Sequence, residues 1–248
     1  MDTSIRNSVS IPTGCQDASG YEVFSHGEAG DAHVFAHRMM DQGRFATGRR
    51  VLGLMLDSSD GTRSERVHLQ WHMAVFELET GGWHAAFARF RRHVLPVAAG
   101  TEDALTDAPA LLWRLALAAP GAFELPWSTV RARALVRMQR PCGPFVELHN
   151  LLALAGAGDL ESLDRWLQRQ PTAPRSGGQE LLKHAGVALR AYVAGEFGYA
   201  AATLATLSPR VTEIGGSRAQ NQLFESIAQS ARRQARAANA SAALTKAA

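Results

Sequence analysis

Residues 68–96 constrain the fold more than any other stretch of this chain. They contain two apolar segments of helical periodicity, separated by the pair Gly81-Gly82. In the second segment Trp83 and Phe87 stand four residues apart, which places them on one face of a helix. Because glycine adopts positive φ without a Cβ clash, a glycine pair ends the first helix and lets the chain reverse. The stretch therefore predicts an antiparallel helical hairpin.

The same kind of corner recurs along the chain. Gly82 follows Gly43 by 39 residues, and Gly198 follows Gly158 by 40. Apolar segments of helical periodicity flank each corner, and no segment alternates as a strand would. A single hairpin cannot bury its apolar face, so hairpins at a period near 40 must stack. The sequence therefore predicts an all-α fold, a right-handed, tetratricopeptide-like α-solenoid of stacked antiparallel helical hairpins.

The chain divides into three predicted parts. Residues 1–27 are rich in Ser, Gly, Asp and Thr and show no periodicity, which indicates a flexible N-terminal arm. Residues 28–238 hold the predicted helical repeats, the last helix running from Arg218 to about Ala238. Residues 239–248 form an Ala-rich tail that we expect to fray.

Composition and charge narrow the classes of partner. The net charge is +3 and the pI is ≈ 9.2, but the arginines at 89–92 and 232–236 are each interpreted as a solvated helix face. Cys15 and Cys142 show no CxxC spacing, so they predict neither a disulfide framework nor a zinc knuckle. The sequence shows no membrane-spanning segment and no signal-peptide pattern. We therefore expect a cytoplasmic protein without nucleic-acid or membrane partners.

Five of the nine histidines follow a pattern suited to metal binding. His33 and His37 are four residues apart, as are His68 and His72, so each pair lies on one face of its helix. His149 belongs to a third predicted helix. Imidazoles that converge from neighbouring helices could bind zinc, iron or copper. These five residues are therefore our candidate ligands for a divalent transition metal, and we expect them to face one another across adjacent helices.

Packing offers a second interpretation of the same residues. Histidines in a helical stack can hydrogen-bond backbone carbonyls and bind nothing else. Trp71, between His68 and His72 in sequence, is a candidate ligand contact, although tryptophan is also common in helix packing. The other histidines are predicted to lie at the surface; they are His26, His84, His93 and His184.

Five short pieces of the sequence carry a resemblance; they are Ala32–His37, His68–His72, Asp107–Arg114, Leu148-His149 and Ile214–Gln220. In this order they resemble the tetratricopeptide repeat protein 38 family, and the Gly-Gly-Ser-x-Ala-Gln piece is the most specific. The resemblance covers roughly residues 30–235, the C-terminal part of the family's usual domain. Where the family tends to have Asp two residues before the equivalent of His149, this chain has Glu147. The resemblance implies a helical-repeat fold and no assigned biochemical activity.

The sequence leaves two classes of function open. It contains no G-x-G-x-x-G before a helix, no phosphate-binding P-loop, no G-x-S-x-G and no H-E-x-x-H. The favoured hypothesis is a binding or scaffold protein that presents a concave surface to a peptide, a protein or a small molecule. The alternative is a metal-dependent or acid–base enzyme that uses the histidine cluster near neutral pH.

Overall fold

The fold is known from a computed structural model, which describes residues 28–56, 61–102, 104–172 and 176–247. Over these residues the chain is helical and forms no strand, which confirms the predicted all-α fold. The helices are α1 (Glu28–Asp41), α2 (Phe45–Leu56), α3 (Arg63–Glu79), α4 (Trp83–Arg89), α5 (Leu95–Gly100), α6 (Asp107–Ala118), α7 (Trp127–Arg137), α8 (Pro144–Gly156), α9 (Leu160–Gln168), α10 (Gly177–Val193), α11 (Phe197–Leu207) and α12 (Arg218–Ala247). A π-helical turn, Phe90–Val94, joins α4 to α5, and a 3₁₀ turn, Ser208–Glu213, follows α11. The predicted arm, residues 1–27, lies outside the described residues and includes Cys15 and His26.

Four helical hairpins turn at a glycine of positive φ; these glycines are Gly43, Gly81, Gly158 and Gly195. Each corner is closed by the same pair of backbone bonds. At the first, the Gly43 N–H donates to Met40 O at 3.0 Å and the Arg44 N–H donates to Met39 O at 2.9 Å. This pattern is the Schellman motif, which requires a left-handed residue that glycine adopts without strain.

The predicted corners at Gly43, Gly81-Gly82 and Gly158 are confirmed, and the corner predicted over Gly195 to Gly198 turns at its first glycine. The left-handed residue of the α3–α4 corner is Gly81 and not Gly82. At the α10–α11 corner it is Gly195, while Gly198 lies inside α11. The reason is that the Schellman bonds form directly at the end of the preceding helix, so the first available glycine takes the corner.

Three contacts between successive helices place an aromatic ring against a helical glycine. The pairs are Gly48 with Phe76, Gly156 with Trp127, and Gly186 with Trp166. A Cβ atom on any of the three glycines would lie 2.3–2.5 Å from the ring, far inside van der Waals contact. Glycine at these positions therefore lets a flat ring approach the backbone of the next helix.

Helices that begin the hairpins form a row at the centre of the fold. Contacts run from α1 to α3, from α3 to α6, from α6 to α8 and from α8 to α10. The middle helix, α6, contributes to two apolar clusters: Leu111 and Leu115 belong to the N-terminal one, and Trp113 belongs to the C-terminal one. The indole of Trp113 also donates to Leu152 O at 2.8 Å, which fixes α6 to α8.

The last helix continues to Ala247 and does not end near Ala238. Its C-terminal part is rich in alanine, which has the highest helix propensity. Near its other end α12 packs against α6 and α1 as well as against α11, and Ala219 joins the N-terminal apolar cluster. The first and last described helices therefore contact each other. Among the described residues, no helix combines the length and the apolar character needed to cross a bilayer.

Candidate metal centre

Four of the five candidate histidines come together where α1 packs against α3. His33 and His37 extend from α1, and His68 and His72 from α3. The rings of His33 and His37 have centroids 4.4 Å apart, and those of His68 and His72 are 4.6 Å apart. Across the two helices, three ring pairs have centroids 4.7–5.3 Å apart: His33 with His68, His33 with His72, and His37 with His72. One ligand nitrogen from each ring lies within 4.8 Å of the other three. We call these four residues the histidine cluster.

Small residues on α1 position the cluster. Ala29, Ala32 and Ala36 recur at spacings of three and four and are buried, so they form one face of α1. They belong to the N-terminal apolar cluster, which also contains residues of α3, and the two histidines of α1 stand next to Ala32 and Ala36 in sequence. His68 and His72 are buried, whereas the two α1 histidines are half-buried. The cluster therefore has an inner pair on α3 and an outer pair on α1.

Asp107 supports the inner pair. This residue is the first of α6 and is only 4% exposed. Its two carboxylate oxygens lie 2.9 and 3.1 Å from Nδ1 of His68, so that nitrogen donates its proton to the carboxylate. A carboxylate on one ring nitrogen fixes the tautomer and directs Nε2 as the ligand atom, as in many zinc sites. Spacing does not reveal Asp107 because it follows His68 by 39 residues, although it lies in one of the pieces that carry the family resemblance.

His72 and the neighbouring Trp71 form the innermost part of the site. Nδ1 of His72 lies 3.3 Å from Sδ of Met40, while its Nε2 is buried without a hydrogen-bond partner. The indole of Trp71 lies parallel to the ring of His68 at 5.5 Å and is fully buried, and its Nε1 has no partner either. Trp71 therefore contacts the cluster as a packing surface, and an unpaired nitrogen of His72 remains available to a ligand.

Burial holds most of the cluster in the neutral state. It lowers the pKa of His33 to about 2 and that of His37 to about 4, and the positive charge that His68 can carry adds to both shifts. Burial also lowers the pKa of His72 well below its usual 6.5. Nε2 of His33 and Nε2 of His37 lie 2.8 Å apart, so these two nitrogens share one proton. A neutral imidazole retains the lone pair that a metal ion needs.

His149 is not brought into the cluster. It lies on α8, which packs against α6, α7 and α10, and its Nδ1–H donates to Phe145 O at 2.8 Å. Burial lowers its pKa to about 4, an effect that this hydrogen bond partly opposes. The position of His149 in the sequence does not specify which helices surround it. Its hydrogen bond to a carbonyl of its own helix is consistent with a packing role in the core.

The remaining described histidines differ in exposure. His84 and His184 are exposed, as predicted. His93 is half-buried, and its pKa is lowered by burial and by the nearby charge of Arg89. None of the three belongs to the histidine cluster.

No protein-family model matches the sequence, and no solved structure matches the chain. The chemistry of the histidine cluster itself therefore carries the functional argument.

Proposed function

We propose that the chain is a metal-binding protein that holds one divalent transition-metal ion between α1 and α3. The ligands are His33, His37, His68 and His72. The observation that carries the proposal is the convergence of four ligand nitrogens within 4.8 Å of one another, from two helices.

The geometry is close to what an ion requires. Metal–nitrogen bonds of about 2.0–2.1 Å in a tetrahedral site place the ligand nitrogens roughly 3.4 Å apart. The pair formed by His33 and His37 is slightly tighter than this, at 2.8 Å, and the widest separation in the cluster is within 4.8 Å. Side-chain rotations that move a nitrogen by roughly 1 Å bring all four to bonding distance.

Ligand chemistry favours a borderline metal. Imidazole suits Zn²⁺, Cu²⁺, Ni²⁺ and iron, whereas Mg²⁺ and Ca²⁺ select oxygen ligands. The carboxylate of Asp107 beside His68 supplies a nearby negative charge. Four protein ligands complete a tetrahedral shell, while a catalytic zinc site keeps one position for water or substrate. We therefore propose a binding role, in which the ion links α1 to α3, and not a hydrolytic one.

Metal content of protein purified without an affinity tag tests the proposal. We expect about one transition-metal ion per chain after elemental analysis, or after titration with Zn²⁺, Cu²⁺ or Ni²⁺. The double variant H33A/H37A should lose the ion, because it removes half of the ligands. His184→Ala is the matched control, since His184 is exposed and lies outside the cluster. Equal metal content in the double variant and the control would refute the proposal.

A groove on the protein supports a second proposed function, the binding of a ligand. It has a volume of about 480 Å³ and lies between α3, α6 and α12, with Met40 of α1 and Phe45 of α2 at its edge. Pockets of this size commonly hold small molecules. This second proposal is a binding module for a small molecule. Its test is Ser226→Trp, which places a large ring in the groove from an exposed position and should weaken ligand binding there.

We further propose that the hairpins stack as a tetratricopeptide-like α-solenoid, related to the tetratricopeptide repeat protein 38 family. The recurring Schellman corners and the row of contacts from α1 to α10 support this arrangement. The return of α12 to α1 departs from it, because repeats of a linear solenoid contact only their neighbours. An experimental structure with rotations of one hand between successive hairpins would favour the proposal; rotations of alternating hand would contradict it.

A further inference from the structure

The groove between α3, α6 and α12 is amphipathic. Its walls carry apolar side chains, among them Met40, Val75, Leu78 and Leu117. Four charged residues also line it, and three of them are exposed to solvent: Glu79, Glu225 and Arg233. The fourth, Arg114, is half-buried. The exposed charges of the groove are therefore of both signs, and its half-buried charge is a cation.

Arg114 is held as a cation without a carboxylate partner among the described residues. Its guanidinium donates to Ala219 O at 2.6 Å, to Gln220 O at 3.3 Å and to Ala110 O at 3.3 Å. It also lies over the ring of Trp71 at 5.4 Å. Neutral carbonyls and an aromatic face orient the group, and its charge is balanced only at a distance, by Glu79. By contrast, Arg89, which is also half-buried, forms an ion pair with Glu77 at 2.8 Å.

A cation that contacts no carboxylate among the described residues, next to apolar side chains, favours an anionic ligand. Removing a cation from water is costly unless an anion accompanies it. Arg114 retains its charge at neutral pH, since burial lowers its pKa only to about 10. The three bonds to carbonyls use three of its five N–H donors, which leaves donors for a ligand. Glu79 lies close enough to act on Arg114, so a dianion is less favourable than a monoanion.

We propose that this groove binds a small amphipathic monocarboxylate, whose carboxylate meets Arg114 and whose hydrocarbon part lies along Val75, Leu78 and Leu117. The inference rests on the proposed binding function of the groove and names the class of ligand. It is independent of the metal ion.

Calorimetric titration with three probes of equal chain length tests the class of ligand: octanoate, octan-1-ol and octylamine. Octanoate should bind the full chain at least tenfold more tightly than octanol, and octylamine should not bind. Arg114→Met keeps the apolar stem and removes the charge, so it should reduce octanoate affinity to that of octanol. Glu79→Gln removes a competing negative charge at an exposed position and should strengthen octanoate binding two- to threefold.

Two further measurements separate the ligand class from the groove itself. Ser226→Trp should weaken both octanoate and octanol. If octanol binds as tightly as octanoate and Ser226→Trp weakens both, the groove is a binding site but the carboxylate assignment is wrong. If none of the three probes binds, both the assignment and the binding function of the groove are wrong. Circular dichroism shows whether Arg114→Met folds. If it does not fold, Glu79→Gln provides the test, because an unchanged octanoate affinity in that variant would contradict the proposal.

Discussion

The contact between Gly48 of α2 and the ring of Phe76 provides a sharp test of how successive hairpins are joined. A Cβ atom at Gly48 would lie 2.5 Å from ring atoms of Phe76, and that ring is fully buried, so it has no free space to move into. Gly53 is a matched control in the same helix. A Cβ there would meet only Met73 Cε, at an ordinary contact distance of 3.6 Å. Alanine at the two positions therefore gains the same helix propensity and differs only in packing.

The expected magnitudes follow from these contacts. Replacing glycine by alanine inside a helix stabilises it by about 1 kcal/mol. Overpacking a rigid core costs about 1–3 kcal/mol. Gly53→Ala should therefore raise the free energy of unfolding by about 1 kcal/mol, whereas Gly48→Ala should leave it unchanged or lower it by up to about 2 kcal/mol. The difference between the two variants, about 1–3 kcal/mol, is the packing contribution alone.

Urea denaturation followed by circular dichroism measures this difference. In a Phe76→Leu background the ring is absent, so Gly48→Ala should then behave like Gly53→Ala. Equal effects of the two glycine substitutions in the wild-type background would refute the argument that the ring rests on the glycine. A persistent penalty at Gly48 without the ring would also refute it.

The remaining predictions concern Asp107 and the pH dependence of stability. Asp107→Asn should raise the Kd for Zn²⁺ about 10–100-fold, because the carboxylate orients His68. A chelator competition measures the Kd, and the circular dichroism spectrum should remain helical. An unchanged Kd would contradict the supporting role of Asp107. In EDTA, the free energy of unfolding should fall as the pH drops from 6.5 to 4. The pKa of His149 is about 4 in the fold, so the unfolded chain binds the extra proton in that window. The loss from this residue is at most about 3 kcal/mol, and His149→Gln should flatten the slope; an equal slope in the variant would contradict this account.

Local patterns in the sequence predict local structure here because their physical causes are local. Glycine at the end of an apolar periodic segment predicts the corners at Gly43 and Gly158, since the Schellman bonds involve only adjacent residues. The spacing of four between His33 and His37 predicts a shared helix face for the same reason. Alanine content explains why α12 is longer than expected, and this signal was present in the sequence.

Contacts between helices were less predictable. Periodicity shows which face of a helix is buried but not which helix covers it, so His149 could not be distinguished from His68 as a member of the cluster. Asp107 could not be connected to His68 because their contact depends on how α6 packs against α3. The contact between the ring of Trp127 and Gly156 was not predicted either. An isolated glycine within a helical segment indicates only lower helix propensity, and it does not indicate that a ring packs against it.

The return of α12 to α1 and α6 has a consequence for folding kinetics. In a linear array of repeats, terminal units can unravel one at a time, because only nearest-neighbour interfaces are lost. Here Ala219 of α12 is part of the same apolar cluster as Ala32 and Leu69, far earlier in sequence. Contacts of such large sequence separation require a long loop to close before they form, which slows folding. They also tie α12 and the first helices into one cooperative unit, so hydrogen exchange in α1 and in the first half of α12 should proceed at a common rate.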